Sequence, residues 1–416
     1  MARVTFWHVN RDFHLLFAAA AVSRLGTSVG YVATPLIAVT ALDATPGEVG
    51  LLATLSTVAF LLIGLPAGAW TDRVRRRGVM VTADVGRAVV LCSVPVAWWF
   101  GVLHMAQLYV VVLLCGIGTV FFDVANQSYV PQVVGRSALL AANTRLVSVD
   151  AVNDIAGRGV AGYLVALVTA PVAVLVDAAS FLVSAWCVLR VRHREPVPAP
   201  SATRLWPDMT EGISFVWHHR VLRTIATSGA LANLGFVLVV TMLPVVLVDE
   251  MKVSPAVLGL FLASGGIGTL AGSLLARRLA ALVGAGRLSL IGSLVAAPCG
   301  FGMPFVAEGP RLWLAGAGWV VVTAMSGSNN VVLVSFRQTV TPDRLLGRMT
   351  ASFRFVLMGA LALGAAAAGV IGEVASPRAA VAAGATAIAL VWVPIMFSPL
   401  RKARELTGPE PAAVAA

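Results

Sequence analysis

Three ionisable residues lie four positions apart within one long apolar segment: Asp150, Asp154 and Arg158, with Asn153 beside them. Residues at this spacing share one face of an α-helix. A carboxylate in a poorly solvated cavity can take up and release a proton, whereas a neighbouring guanidinium favours the ionised form. The pattern therefore predicts a proton-coupling site. The alternative is that Asp154 and Arg158 form a fixed structural pair against another helix.

Three further polar residues are candidates for the same chemistry. Arg24 lies about ten residues inside the first apolar segment, where a charge costs roughly 2.5–3.5 kcal/mol on insertion scales. We expect it to face a cavity and to contact Asp150, Asp154 or an anionic ligand; snorkelling to the membrane surface is the alternative. Asp123 could line that cavity or pair with the first helix. Asn233 corresponds to Arg24 in an internal repeat and predicts polar contacts from the second half.

A short connection between two apolar segments predicts a gate. Its sequence is Gly68-Ala69-Trp70-Thr71-Asp72-Arg73-Val74-Arg75-Arg76-Arg77. The glycine would let a helix approach, the carboxylate could lie against the positive end of a neighbouring helix, and the arginines would hold the turn in the cytoplasm. The predicted gate comprises Gly68, Asp72, Arg73, Arg76, Arg77 and, from a later segment, Arg354. A second copy of the connection has Ala276 in place of the carboxylate.

These residues must be positioned by membrane helices. Hydrophobic residues make up 58% of the 416 residues and charged residues only 12%, against about 25% charged in soluble domains. Twelve apolar segments each reach the roughly 20 residues that span a bilayer, the first being a retained helix and not a signal peptide. We place them at 13–42, 49–71, 79–103, 106–129, 139–168, 171–190, 221–248, 256–280, 288–307, 312–335, 345–372 and 379–400.

The distribution of positive charge predicts the orientation. Arginines concentrate in every second connection, whereas the others carry only Lys252, Arg311 and Arg378. Both termini are therefore expected in the cytoplasm of a multi-pass cell-membrane protein. This asymmetry accounts for the net charge of +11, and no basic run interleaved with aromatics points to nucleic acid.

The chain is predicted to contain two parallel six-helix bundles, at 1–190 and 220–400. A polar cytoplasmic linker at 191–219 separates them, and 401–416 forms a cytoplasmic tail. A shift of 209 residues aligns Gly50-Leu51 with Gly259-Leu260, and a shift of 206 aligns Gln132 with Gln338. Such matches indicate a duplicated unit with both copies starting on the same side.

The gate connection resembles the signature loop of the major facilitator superfamily, Gly-x-x-x-Asp-Arg-x-Gly-Arg-Arg, with Arg75 at the usual glycine. Other segments resemble the branch of macrolide-efflux proteins and the enterobactin exporter. They are Arg11-Asp12-Phe13-His14-Leu15-Leu16-Phe17, Phe121-Phe122-Asp123-Val124-Ala125-Asn126, Asp177-Ala178-Ala179-Ser180-Phe181-Leu182 and the run from Arg337 to Arg348. Two positions depart from the pattern: Thr27 replaces a frequent acid, and Gly157-Arg158-Gly159 replaces the Gly-Pro of export antiporters.

The resemblance implies a monomeric secondary transporter that exports hydrophobic small molecules, such as an antibiotic, a secondary metabolite or a siderophore, in exchange for protons. The expected mechanism is alternating access, with the gate closing the cytoplasmic side. The alternative is an importer or facilitator of a polar metabolite.

Other classes of protein have little support in the sequence. No phosphate-binding loop accompanies either lysine, and no nucleophile–base constellation is evident, so we expect no enzyme. The four cysteines lack metal-ligand spacing and suit small apolar filler, and we expect no cofactor and no metal.

Overall fold

The structure is a computed structural model that describes residues 11–71, 73–193, 195 and 205–402. Within these ranges the regular elements are all helical. They are α1 (Arg11–Ala41), α2 (Pro46–Thr71), α3 (Arg76–Trp99), α4 (Met105–Val152), α5 (Arg158–Val168), α6 (Ala170–Arg190), α7 (Leu205–His218), α8 (Arg220–Pro244), α9 (Pro255–Val283), α10 (Ala285–Phe301), α11 (Pro310–Val340), α12 (Asp343–Val374), α13 (Pro377–Ala389) and α14 (Trp392–Met396). Two π-helical segments, Asn153–Gly157 and Val245–Glu250, follow α4 and α8.

Twelve segments of the described chain are long and apolar enough to cross a bilayer, which confirms the predicted number of spans. They are Arg11–Ala41, Pro46–Gly64, Arg76–Trp99, Met105–Gly135, Ser148–Val168, Ala170–Arg190, Arg220–Glu250, Pro255–Val283, Ala285–Phe305, Pro310–Val340, Arg344–Val374 and Pro377–Met396. Helical backbone continues from the fourth span past a kink at Gly135, where φ is 72°, and the fifth span begins at Ser148.

The composition explains why these segments form helices. In hydrocarbon every backbone N–H and C=O must be paired internally, and a helix pairs them within one segment. Side chains such as Leu62, Leu167, Leu274 and Leu363 lie well exposed on the helix surfaces, as expected where the surroundings are lipid. Prolines inside the helices, among them Pro35, are tolerated because neighbouring helices support the freed carbonyls.

The described residues form two compact units. The first contains α1, most of α2, α3 to α6 and the start of α9, and its core includes Phe13, Phe122 and Tyr129. The second contains residues 45–54, at the start of α2, together with α7, α8, most of α9 and α10 to α14. Its core includes Leu222 and Phe353. The predicted bundle boundaries at residues 190 and 220 remain a prediction.

A pair of glycines brings two helices into backbone contact in each unit. In the first unit, a Cβ on Gly162 would lie 2.6 Å from the Cα of Gly259. In the second, a Cβ on Gly50 would lie 2.2 Å from the Cα of Gly369. Both distances are shorter than any ordinary carbon contact, so only glycine fits. Gly50 and Gly259 are the residues that the 209-residue repeat aligns.

Candidate functional site

A cavity of about 220 Å³ lies inside the first unit, among α1, α3, α4, the π-helical segment and the start of α5. Its described lining carries three arginines and three aspartates: Arg24, Arg87, Arg158, Asp123, Asp150 and Asp154. The structure thus brings together all five residues of the first half that the sequence analysis proposed for the cavity. The lining is balanced in formal charge, so a change in one ionisation state alters the net charge of the cavity.

Two ion pairs line this cavity. Arg24 Nε lies 2.7 Å from Asp150 Oδ1, and Arg158 donates a hydrogen bond to Asp154 Oδ1 at 3.0 Å. Side chains of both pairs remain partly exposed, with Asp150 at 37% and Asp154 at 56%. The Arg158 guanidinium also lies 5.2 Å from the ring centroid of Tyr31. The carboxylates are therefore accessible to a ligand or a proton that enters the cavity.

The π-helical segment Asn153–Gly157 contains Asp154 and lies between Asp150 and Arg158 in the chain. Two hydrogen bonds join this segment to α1. Ser28 Oγ donates to the Asn153 carbonyl at 3.4 Å, and the Asn153 side-chain Nδ2 donates to the Ala21 carbonyl at 3.5 Å. A Cβ on Gly157 would lie 2.8 Å from Ser28 Cβ, so a glycine is needed there. Inserted π-helical turns occur often at functional sites. The four-residue spacing in the sequence predicts a regular α-helix here and gives no sign of this turn.

A buried charged cluster adjoins the cavity. Arg87 and Asp84 form an ion pair at 3% and 0% exposure. The Arg87 guanidinium lies 3.9 Å from the ring centroid of Phe181 and 5.0 Å from that of Phe122, and it donates to Thr119 Oγ1 at 3.1 Å. The pair joins two residues one turn apart on α3 and lies in the core of the unit. Arg87 fixes one wall of the cavity.

A second cavity, of about 390 Å³, lies inside the second unit, among α8, α10, α11, α12 and α13. Most of its lining is apolar. Polar groups come from Asn233, Asn329, Asn330 and Arg337, together with several hydroxyls. Asn233 Nδ2 donates to the Leu357 carbonyl of α12 at 3.3 Å. Asn233 therefore lines a different cavity from Arg24, the residue to which it corresponds in the repeat.

The gate residues are only partly described. Gly68 belongs to α2, Asp72 lies outside the described residues, and Arg354 lies in α12. Arg73 is exposed, and its amide donates to the Trp70 carbonyl at 3.0 Å. A pairing of Asp72 or Arg73 with the eleventh span therefore remains a prediction.

A linker carboxylate that the sequence analysis missed holds this connection. The amides of Arg76 and Arg77 each donate to Glu195 at 2.7 Å, and the Arg77 guanidinium donates to the Leu189 carbonyl. Glu195 thus caps the N-terminus of α3, where negative charge is favourable. The sequence signal for Glu195 is an acidic residue just after a predicted span. Such a residue can cap a neighbouring helix that has no side-chain cap of its own.

Comparisons with known proteins agree with this architecture. Residues 8–411 match the profile of the transmembrane secretion effector family. The multidrug efflux pump Tap of Mycolicibacterium fortuitum is 28% identical over 94% of this chain and 96% of its own length. An uncharacterized transporter of the major facilitator type from Sinorhizobium fredii is 27% identical over 86% of this chain and 87% of its own.

Solved structures show the same fold at low identity. The nucleoside transporter NupG superposes with a TM-score of 0.76 at 12% identity, covering 93% of this chain and 99% of that one. A bacterial homologue of the iron transporter ferroportin gives 0.73 at 15% identity, over 93% and 98%. The chain therefore belongs to the transmembrane secretion effector family of the major facilitator superfamily, and it is a multi-pass membrane transporter of small molecules, not an enzyme.

Proposed function

We propose that the chain exports hydrophobic small molecules across the cell membrane in exchange for protons, by alternating access and as a monomer with both termini in the cytoplasm. The likeness to a multidrug efflux pump over almost the whole of both chains supports the direction and the class of substrate. The observation that carries the coupling is the pair formed by Arg24 and Asp150 at 2.7 Å in the wall of a cavity.

Protonation of Asp150 would remove the charge that holds Arg24. An ion pair between partly buried groups depends on the ionised carboxylate, because the neutral acid offers only a hydrogen bond. The released guanidinium then changes the electrostatics of the cavity and of α1. Asp154, which is paired with Arg158, provides a second acceptor for the same proton one turn further along. Proton entry thereby biases the conformational equilibrium that moves the substrate, provided that the two states bind the proton with different affinity.

The internal repeat supports a functional role for this pair over a structural one. Arg24 corresponds to Asn233 at the offset of 209 residues. Asp150 corresponds to Leu357 at an offset of 207 residues, which is also the offset between Gly162 and Gly369. In the second half, this contact is a hydrogen bond from Asn233 to the Leu357 carbonyl. A neutral contact therefore suffices to join the two helices, and the charges of the first half need another reason.

The gate connection completes the proposed cycle. Glu195 holds the start of α3 next to the arginines that we place in the cytoplasm. With Asp72 and Arg73 engaging the eleventh span, the cytoplasmic side would close while the cavity opens outward. This assignment of the gate rests on the resemblance of the loop and on the anchored start of α3.

The experiment is transport by purified protein in liposomes under an imposed pH gradient, read with the uncharged fluorophore phenylnaphthylamine. We expect the neutral double variant Arg24→Asn/Asp150→Leu, which copies the second half, to fold and to lose gradient-driven transport by at least tenfold. Asp150→Asn alone should lose it similarly. Asp249→Asn is the matched control, since Asp249 forms an exposed pair with Lys252 outside both cavities.

Two results would refute the proposal. Gradient-driven transport that survives in both Asp150→Asn and Asp154→Asn would remove the coupling assignment. Accumulation of the fluorophore in intact cells that depends on the wild-type protein would instead favour the importer.

A further inference from the structure

The cavity of the second unit holds a single cation among apolar walls, and the described chain gives it no counterion. Arg337 lines this cavity, and none of the described acidic side chains does. Its Nε is buried without a hydrogen-bond partner among the described residues. Arg337 lies in the last turn of α11, and removing a charge from water without a partner is costly.

Packing fixes the position of this guanidinium. It lies 4.8 Å from the ring centroid of Phe353, a side chain that is only 1% exposed. A cation over an aromatic face is held by the ring quadrupole, which orders the arginine without neutralising it. Val322, Ser326, Asn330 and Leu333 recur at helical spacing with Arg337 along α11 and line the cavity with it. The Arg337 side chain therefore lies on the face of α11 that lines the cavity.

We propose that the second-unit cavity is a binding site for amphipathic substrates that carry an anionic group, with Arg337 as the residue that contacts the anion. This assignment deepens the proposed export function and rests on it. A guanidinium binds carboxylate, sulfonate or phosphate oxygens through directed N–H donors. The apolar wall, including Phe236, Met325 and Leu357, accepts the remainder of the substrate.

The dimensions fit a drug-sized molecule. A cavity of about 390 Å³ falls within the range of about 300–1,000 Å³ typical of ligand pockets. Arg337 and Ser326 are eleven residues apart on α11, or about 17 Å along the axis at 1.5 Å per residue. The exposed side chains of Ser326, at one end, and of Asn330, between the two ends, offer hydrogen bonds. The expected ligand is therefore elongated, anionic at one end and apolar over most of its length.

The test uses two probes that differ only by one sulfonate group: anilinonaphthalene sulfonate and its uncharged parent, phenylnaphthylamine. Binding to the full-length protein in nanodiscs of zwitterionic lipid is measured by fluorescence at fixed pH, with empty nanodiscs subtracted. We expect wild type to bind the sulfonate more tightly than the parent. Arg337→Gln should weaken sulfonate binding by roughly tenfold to a hundredfold, the usual effect of losing a charged hydrogen bond, and change binding of the parent by less than about twofold.

Three variants separate charge recognition from other effects. Arg337→Lys should retain part of the preference for the sulfonate. Arg401→Gln, which removes an exposed arginine of the same unit, should change neither affinity. Ala232→Phe, which fills the cavity, should weaken both probes.

The proposal is overturned if Arg337→Gln weakens both probes equally, or if the sulfonate preference survives in that variant. If Arg337→Gln does not fold, the wild-type comparison decides, and a wild type that binds the parent at least as tightly as the sulfonate overturns it. Because no pH gradient is imposed, these outcomes are independent of the transport test for proton coupling. Absence of gradient-driven transport by the wild-type protein, with the sulfonate preference intact, would count against the proposed function alone.

Discussion

Removing Arg87 should destabilise the first unit strongly, because Asp84 would then be left buried without its cation. The two side chains are 3% and 0% exposed, and breaking a buried pair by removing one partner costs about 3–5 kcal/mol. For a large domain, 1 kcal/mol corresponds to a shift of roughly 2 °C in unfolding temperature. We therefore expect Arg87→Gln to unfold roughly 6–10 °C below wild type.

The assay is thermal unfolding in detergent, followed with a thiol-reactive dye. Cys92, Cys115 and Cys187 are free cysteines in helices of the first unit, so their exposure reports its unfolding. The matched control is the exposed pair Asp249 and Lys252, which has the same three-residue spacing at 51% and 77% exposure. Lys252→Gln should cost less than about 1 kcal/mol, as exposed pairs do.

The decisive comparison is the double variant Arg87→Gln/Asp84→Asn. It removes both charges, so it should be more stable than Arg87→Gln alone, since the cost arises from the orphaned carboxylate and not from the lost contact. A double variant less stable than the single one would refute this reasoning. So would a shift below about 2 °C for Arg87→Gln, which lies under the range expected for a buried pair.

Three further predictions concern the helix contacts and caps. Gly50→Ala should lower the unfolding temperature measurably, because its Cβ would lie 2.2 Å from the Cα of Gly369; Gly86→Ala, with nothing within 4 Å, should be neutral or stabilising. His219 caps α8 as a neutral acceptor, and burial lowers its pKa. As pH falls below 6.5, His219 is therefore protonated first in the unfolded state, and the free energy of unfolding should fall with pH. His219→Asn should remove this part of the pH dependence and keep the cap. Glu195→Gln should cost about 1 kcal/mol by weakening the charged cap of α3, measured in the same unfolding assay.

Each of these predictions has an outcome that contradicts it. Equal unfolding temperatures for Gly50→Ala and Gly86→Ala would show that the glycine contact relaxes freely. An unchanged pH dependence in His219→Asn would assign the acid sensitivity to other groups. An unfolding temperature for Glu195→Gln at or above that of wild type would show that the capping hydrogen bonds do not depend on the carboxylate charge.

The number of membrane spans could be predicted from the sequence because the bilayer imposes one dominant rule. A segment of about 20 apolar residues must cross as a helix, whatever it packs against. The pairing of Asp154 with Arg158 was likewise a candidate from local spacing, since residues four apart on a helix are neighbours. These inferences depend on short stretches of chain and need no knowledge of the tertiary contacts.

Features that depend on distant contacts were not predicted. The π-helical turn at Asn153–Gly157 depends on how Ser28 of α1 approaches it. Glu195 caps α3 across more than a hundred residues of sequence. Arg337 was noted only as the first residue of the run that ends at Arg348, because its position over Phe353 follows from the packing of α11 on α12.

The internal repeat separates contacts that build the fold from residues that serve transport. The glycine contacts occur in both copies, since Gly50 and Gly259 correspond, as do Gly162 and Gly369 at an offset of 207 residues. A duplicated packing requirement thus kept the same residue type twice. The charged groups of the cavities do not follow this pattern.

Those charged groups differ between the copies. Arg24 corresponds to Asn233 and Asp150 to Leu357, while Arg337 corresponds to Pro131 at the 206-residue offset that aligns Gln132 with Gln338. Each charge within a span costs free energy, and the other copy folds without it. This difference supports roles beyond packing for these positions, namely the proton coupling that we propose for the first-unit cavity and the anion recognition that we propose for the second.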